Sequence, residues 1–128
     1  NSEYSAVIPI FIKKALSNET LTIFGDGNTS RDFTYIEDVI QANLRAAISH
    51  HSDGHVLNVA YGNRFTLTNL AKKIIKKIGS KSEIKYDSFR KGDVLHSLAD
   101  LTLTKELIDY EPHFNLSTGL SKTIDFYR

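Results

Sequence analysis

The sequence predicts a mixed α/β unit in which one layer of helices packs against a small sheet. Apolar residues recur at helical spacing in several segments, and short strand-like runs alternate with them. No linker, internal repeat or low-complexity stretch interrupts the 128 residues, a length that suits one domain with one core.

Residues 5–17 predict the first helix. Ser5 can cap it, Pro9 is tolerable in a first turn, and Ile8, Phe11, Ile12, Ala15 and Leu16 form one apolar face. A strand at residues 22–24 follows, then a turn at Asp26-Gly27, where glycine accepts positive φ, then a short strand at 31–35. "TYIE" has the form of a capping box, with Thr34 at the N-cap and Glu37 three residues on. It opens a helix whose expected inner face is Ile36, Val39, Ile40, Leu44, Ala47 and Ile48, fraying at His50-His51. "HVLNVA", residues 55–60, predicts a buried strand, and Tyr61-Gly62-Asn63 a turn. Thr66 then caps a third helix with Leu67, Leu70, Ala71, Ile74, Ile75 and Ile78 inside and Gly79 as its stop. Residues 83–87 predict another strand. Asp100 is expected to cap a short helix reaching Leu107-Ile108, with Pro112 blocking its continuation. Leu116, Leu120, Ile124 and Tyr127 mark the last helix.

Composition excludes several classes. Sixteen Lys+Arg against 15 Asp+Glu give a net charge of +1, far from the excess of a dedicated nucleic-acid binder. No apolar run approaches the roughly 20 residues of a membrane helix, and the N-terminus carries no signal-peptide pattern. A cytoplasmic home is the default expectation. Without cysteine there is neither disulfide nor thiolate metal site. The chain also lacks methionine and opens on Asn1. Composition leaves two readings of that, a removed leader or a piece cut from a longer protein.

Most candidate chemistry reduces to structure. Lys72, Lys73, Lys76, Lys77 and Lys81 read as a solvated helix face, because no aromatic residues interleave with them for base stacking. His50 and His51 are adjacent, and His55, His96 and His113 are scattered, so no metal site is expected. "GDG" is too short for a phosphate loop. Two arginine-centred stretches remain. In "RDFTY", strand alternation sends Arg31 and Phe33 to one side and Asp32 to the other. In "FRKGDVLHSLAD", Arg90 and Asp93 flank Gly92. A guanidinium beside an aromatic ring can grip a phosphate, and a nearby carboxylate can take sugar hydroxyls. Equally, Arg31 can pair with Asp32 or Asp38, and Arg90 with Asp93.

The ordered set "SAVIPIFIKKAL…LTIFGDGNTSRDFTYIEDVIQANLRA" and "RKGDVLHSLAD…Y.P…L..GL..TI.FY" resembles the C-terminal part of NAD-dependent epimerase/dehydratase enzymes, the nucleotide-sugar branch of the extended short-chain dehydrogenases/reductases (SDR). The likeness runs over essentially the whole chain and is nearest to UDP-glucose and UDP-glucuronate 4-epimerases. It implies that residues 1–128 are the nucleotide-sugar-binding C-terminal domain of a two-domain, homodimeric enzyme whose Rossmann half, carrying NAD, is absent. The family's dinucleotide fingerprint and its Tyr-x-x-x-Lys pair have no match here, so the resemblance implies no catalytic residue and no cofactor bound by this piece alone. It implies a UDP-sugar ligand, with Arg31 and Arg90 on the diphosphate and Asp93 on the ribose. Phe33 would lie beside the nucleotide, with Ala6, Val7, Phe11, Ile23 and Phe24 around the uracil. The same domain of a 4,6-dehydratase or reductase is the related alternative. A module docking an acidic partner through the lysine helix is the unrelated one. The chain departs from the family's common "LGY" and "EGL" at Ile108-Asp109-Tyr110 and Thr118-Gly119-Leu120, away from the expected ligand.

Overall fold

A computed structural model describes residues 7–89 and 91–128. Its main core gathers around a parallel pair of strands, β1 (Leu21–Phe24) and β4 (Ile84–Asp87), in register from Leu21 opposite Ile84 to Phe24 opposite Asp87. Alternation along β1 buries Leu21 and Ile23. Against them pack α1 (Val7–Leu16), α3 (Leu67–Ile78) and α5 (Leu116–Tyr127), through Phe11, Ile12 and Ala15, then Leu70 and Ile74, then Leu120 and Ile124. These are the expected helical faces, although Ser5, the expected cap, lies outside the described residues.

Local chemistry sets the helix ends. Thr66 accepts from the Asn69 N–H at 3.2 Å, and Gly79 takes φ 72° as its N–H donates to the Ile75 carbonyl at 2.9 Å. Asn115 caps α5 by accepting from the Thr118 N–H at 3.0 Å. The lysines of α3 face solvent except Lys77, whose Nζ donates to Ser121 Oγ at 2.8 Å.

Four expectations are corrected. The strand predicted at 31–35 is only β2 (Ser30–Arg31), antiparallel to β3 (Phe65–Thr66). Beyond Arg31 the opposing position is Arg64, whose N–H donates to Asn63 Oδ1 at 2.9 Å instead of across the ladder. The capping box does not form. Tyr35 is the N-cap of α2 (Ile36–Ile48), without a side-chain bond, and Glu37 pairs instead with Lys122 at 3.2 Å. The short helix α4 (Thr102–Ile108) has Leu101 at its N-cap, while Asp100, one residue earlier, accepts from the Thr102 N–H and hydroxyl at 2.9 and 2.7 Å. Residues 55–60 are in no strand, and Val56 is 92% exposed.

The face of α2 is also reversed from expectation. Ile36, Ile40, Leu44 and Ile48 lie outside, from 50% exposed at Ile40 to 79% at Ile48. Its inner side is Asp38 and Ala42. Asp38, 1% exposed, accepts from the backbone N–H groups of His113 (2.8 Å) and Phe114 (3.1 Å), which fixes the helix rotation. Ala42 joins Ala60, Leu101, Ile108 and Tyr110 in a second cluster, backed by Ala46, Leu57 and Val59. Tyr110 closes the cluster by donating its hydroxyl to the Ala60 carbonyl at 2.8 Å. Burial, then the nearby carboxylates of Asp38 and Asp32, raise its pKa to about 12.

Candidate functional site

One cleft among the described residues is built from pieces distant in sequence. One turn of α1 supplies Val7, Ile10 and Phe11, positions i, i+3 and i+4 of a single stripe. β1 supplies Thr22, Ile23 and Phe24. Arg31 and Phe33 enter from β2 and its extension, Leu67 from the start of α3, and Asp93 from the loop after β4. The space is about 780 Å³, part of it open to solvent.

The polar end is a single charged pair. Arg31 Nη2 donates to Asp93 Oδ1 at 2.6 Å, and Nη1 donates to the Ser30 carbonyl at 3.0 Å. Both side chains are mostly covered, at 24% and 17% exposure. The segment carrying Asp93 is held in place by β2: Ser30 N–H donates to the Leu95 carbonyl at 2.9 Å, and Ser97 N–H to the Ser30 carbonyl at 3.1 Å. His96 Nδ1 and Ser30 Oγ share a further bond at 2.8 Å.

Extended backbone beyond β2 keeps the predicted alternation even though the ladder has ended. Arg31 and Phe33 face the cleft, while Asp32 turns away and accepts from the N–H groups of Tyr61 (3.2 Å) and Gly62 (2.9 Å). Asp32 and Asp38 are thus both engaged by backbone, and the alternative pairing of Arg31 with either is corrected: its partner is Asp93. Val7, Phe11, Ile23, Phe24, Arg31, Phe33 and Asp93 all line one cleft. Arg90 and Ala6 lie outside the described residues. Sequence reasoning missed Ile10, Thr22 and Leu67. Helical period from Val7 and strand period from Phe24 could have found the first two. Leu67 carries no such signal, because only the β2–β3 pairing brings it near.

The "GDG" turn behaves as a turn. Gly25 and Gly27 have φ of 95° and 80°, and a side chain at either would meet Phe89 or Thr68 and Tyr86. Asn28 donates its backbone and side-chain N–H groups to Asp26, holding that carboxyl below its ordinary pKa. The chain then enters β2, not a helix, and the Gly27 carbonyl accepts from Thr68. A dinucleotide diphosphate needs a glycine turn that opens a helix, so these residues do not fit NAD. Among the described residues no group of three His, Asp or Glu could hold a metal ion, and no helix is long and apolar enough to cross a membrane.

A guanidinium and a carboxylate at one end of an apolar slot suit a ligand that is flat at one end and anionic with hydroxyls at the other. The model of the NAD dependent epimerase/dehydratase family matches residues 1–60. A UDP-glucose 4-epimerase of Mycolicibacterium smegmatis is 32% identical over 97% of this chain and 39% of its own length.

The chain belongs to the NAD-dependent epimerase/dehydratase family.

Among solved structures, the UDP-glucose 4-epimerase of Thermotoga maritima with UDP-glucose is similar to this family member at a TM-score of 0.90 and 38% identity. The match covers 95% of this chain and 39% of that one. A dTDP-4-dehydro-6-deoxy-D-allose reductase of Streptomyces bikiniensis is 33% identical over 95% of this chain and 36% of its own. This family member therefore spans about two fifths of the length of the relatives it matches. Its mixed α/β fold is that of the corresponding part of extended SDR epimerases.

Proposed function

We propose that these 128 residues form the nucleotide-sugar-binding part of an NAD-dependent UDP-sugar 4-epimerase. The observation that carries this reading is the convergence of Arg31 and Asp93 at the end of a slot walled by Val7, Phe11, Ile23, Phe24 and Phe33.

In this reading Arg31 turns from Asp93 to the diphosphate, whose oxygens accept its N–H groups as charge-assisted bonds. Asp93, released, accepts from the ribose hydroxyls. The uracil lies between the aliphatic side chains of α1 and the aromatic rings of β1 and Phe33. Arg90 is the second phosphate ligand by the family resemblance. NAD in the whole enzyme supplies oxidation and reduction at the sugar's C4. Residues 1–128 anchor the nucleotide, so that remote binding energy positions the sugar. With no Tyr-x-x-x-Lys pair in the sequence, they are inactive by themselves.

The test is a titration of the 128-residue chain with UDP, followed by amide NMR. Shifts are expected at Phe24, Arg31, Phe33 and Asp93, and Arg31→Ala is expected to weaken binding about 10- to 100-fold, the loss of a charged hydrogen bond. Shifts confined to Lys72, Lys73 and Lys76 would replace this reading with that of a module docking an acidic partner. The Streptomyces reductase favours one second reading, the same role in a dTDP-sugar reductase. Tighter binding of dTDP than of UDP would decide for it.

A further inference from the structure

The segment that carries Asp93 has no apolar anchor of its own. Val94, Leu95 and Leu98 are each more than half exposed, and none of them belongs to either core cluster. Among the described residues, positions 95–97 are held by a single buried residue, Ser30, which is 5% exposed. Its N–H donates to the Leu95 carbonyl (2.9 Å) and its carbonyl accepts from the Ser97 N–H (3.1 Å). Its Oγ shares the 2.8 Å bond with His96 Nδ1. All three polar groups of Ser30 therefore engage one segment. The same carbonyl also accepts from Arg31 Nη1 at 3.0 Å, so the guanidinium and the Asp93 segment hang from one point.

We propose that His96 is a positioning residue for the nucleotide: bonded to Ser30, its ring fixes where Asp93 stands relative to Arg31. Neither Ser30 nor His96 lines the cleft, so a ligand does not displace their bond. The two backbone bonds hold the segment beside β2, and the side-chain bond, three positions after Asp93, resists its rolling about them. The inference rests on the nucleotide reading of the cleft. In that reading Arg31 leaves Asp93 for the diphosphate, and the ion pair no longer holds the carboxylate. The Ser30–His96 bond then keeps Asp93 within reach of the ribose, because binding depends on groups already held in place. A serine hydroxyl both donates and accepts, so the bond forms with either ring tautomer and with the imidazolium.

Isothermal titration calorimetry of the 128-residue chain with UDP tests it. His96→Ala and Ser30→Ala are each expected to weaken binding about 3- to 10-fold, the loss of one hydrogen bond. The double variant is expected to bind no more weakly than either single one, since both remove the same contact. An asparagine places a polar atom where Nδ1 stands and a glutamine places it farther out, at Nε2. His96→Asn is therefore expected to restore wild-type affinity and His96→Gln to behave as His96→Ala, all with melting temperatures close to the wild type. Unchanged affinity in His96→Ala, additive losses in the double variant, or equal affinities for asparagine and glutamine overturn the proposal. If the wild type does not bind UDP, the nucleotide reading fails, and positioning is read without ligand from NMR of the Arg31 guanidinium. Rotation about its Nε–Cζ bond, slowed while Asp93 holds Nη2, is expected to speed up in His96→Ala and stay slow in His96→Asn. Equal rotation in His96→Ala and the wild type overturns the positioning role by itself.

Discussion

Replacing Asp93 by asparagine will move two affinities in opposite directions. Arg31 is held by Asp93 at 2.6 Å, with both side chains about one fifth exposed. A largely covered single ion pair is worth about 1 kcal/mol, at the upper end of measured exposed pairs. An anion recruiting Arg31 must displace that contact. Asp93→Asn removes the competing charge, so inorganic pyrophosphate is expected to bind about 5-fold more tightly. UDP also loses the charged acceptor for its ribose hydroxyls, worth about 1.5–3 kcal/mol. Less the 1 kcal/mol gained at the phosphate, the net loss is about 2- to 30-fold. Isothermal titration calorimetry with pyrophosphate and with UDP measures both. If the two affinities fall together, Asp93 supports Arg31 rather than competing for it, and the division of roles in the cleft is wrong.

Tyr110→Phe leaves the buried Ala60 carbonyl without its donor, and is expected to cost about 1–2 kcal/mol in urea denaturation. The wild type adds a pH dependence. Because the folded pKa is raised from 10.0 to about 12, the tyrosine's contribution is fully present below pH 10 and is lost as pH rises from about 10 to 12. That loss amounts to roughly 2–3 kcal/mol, a slope the phenylalanine variant will lack. A parallel alkaline decline in both proteins refutes the assignment. Asp38→Asn replaces a buried acceptor of two backbone N–H groups by one that sets an amide N–H against one of them. The expected cost is about 2–3 kcal/mol, and a change below about 0.5 kcal/mol would show that α2 is oriented by something else.

Much of the molecule was legible because its signals are local. The faces of α1, α3 and α5 follow from apolar period, and the Thr66 and Gly79 boundaries from capping chemistry. Alternation alone put Arg31 and Phe33 on one side. The errors share a cause. The apolar stripe of α2 and the strand pattern of residues 55–60 are real features of the sequence, yet the described residues leave much of them exposed. Periodicity states that a face is apolar and not what covers it. Thr34 failed as a cap because α2 begins one residue later than the motif suggests. Leu67 entered the cleft through the pairing of Arg31 with Phe65, 34 positions apart in the chain and two before Leu67, which no local pattern encodes.

The sequence by itself determined the helices, the strands β1 and β4, the turn at Asp26-Gly27 and the residue types available for a nucleotide, since propensity, period and caps act within a few positions. Tertiary structure alone decided that Arg31 chooses Asp93 over its neighbours Asp32 and Asp38. Those two carboxylates are taken by backbone N–H groups of distant turns, and the pairing of Ser30 with the 95–97 segment carries Asp93 across 62 residues to the one guanidinium in the described cleft. Side-chain partnership is a matter of distance in space, and that is fixed only when the chain has closed on itself.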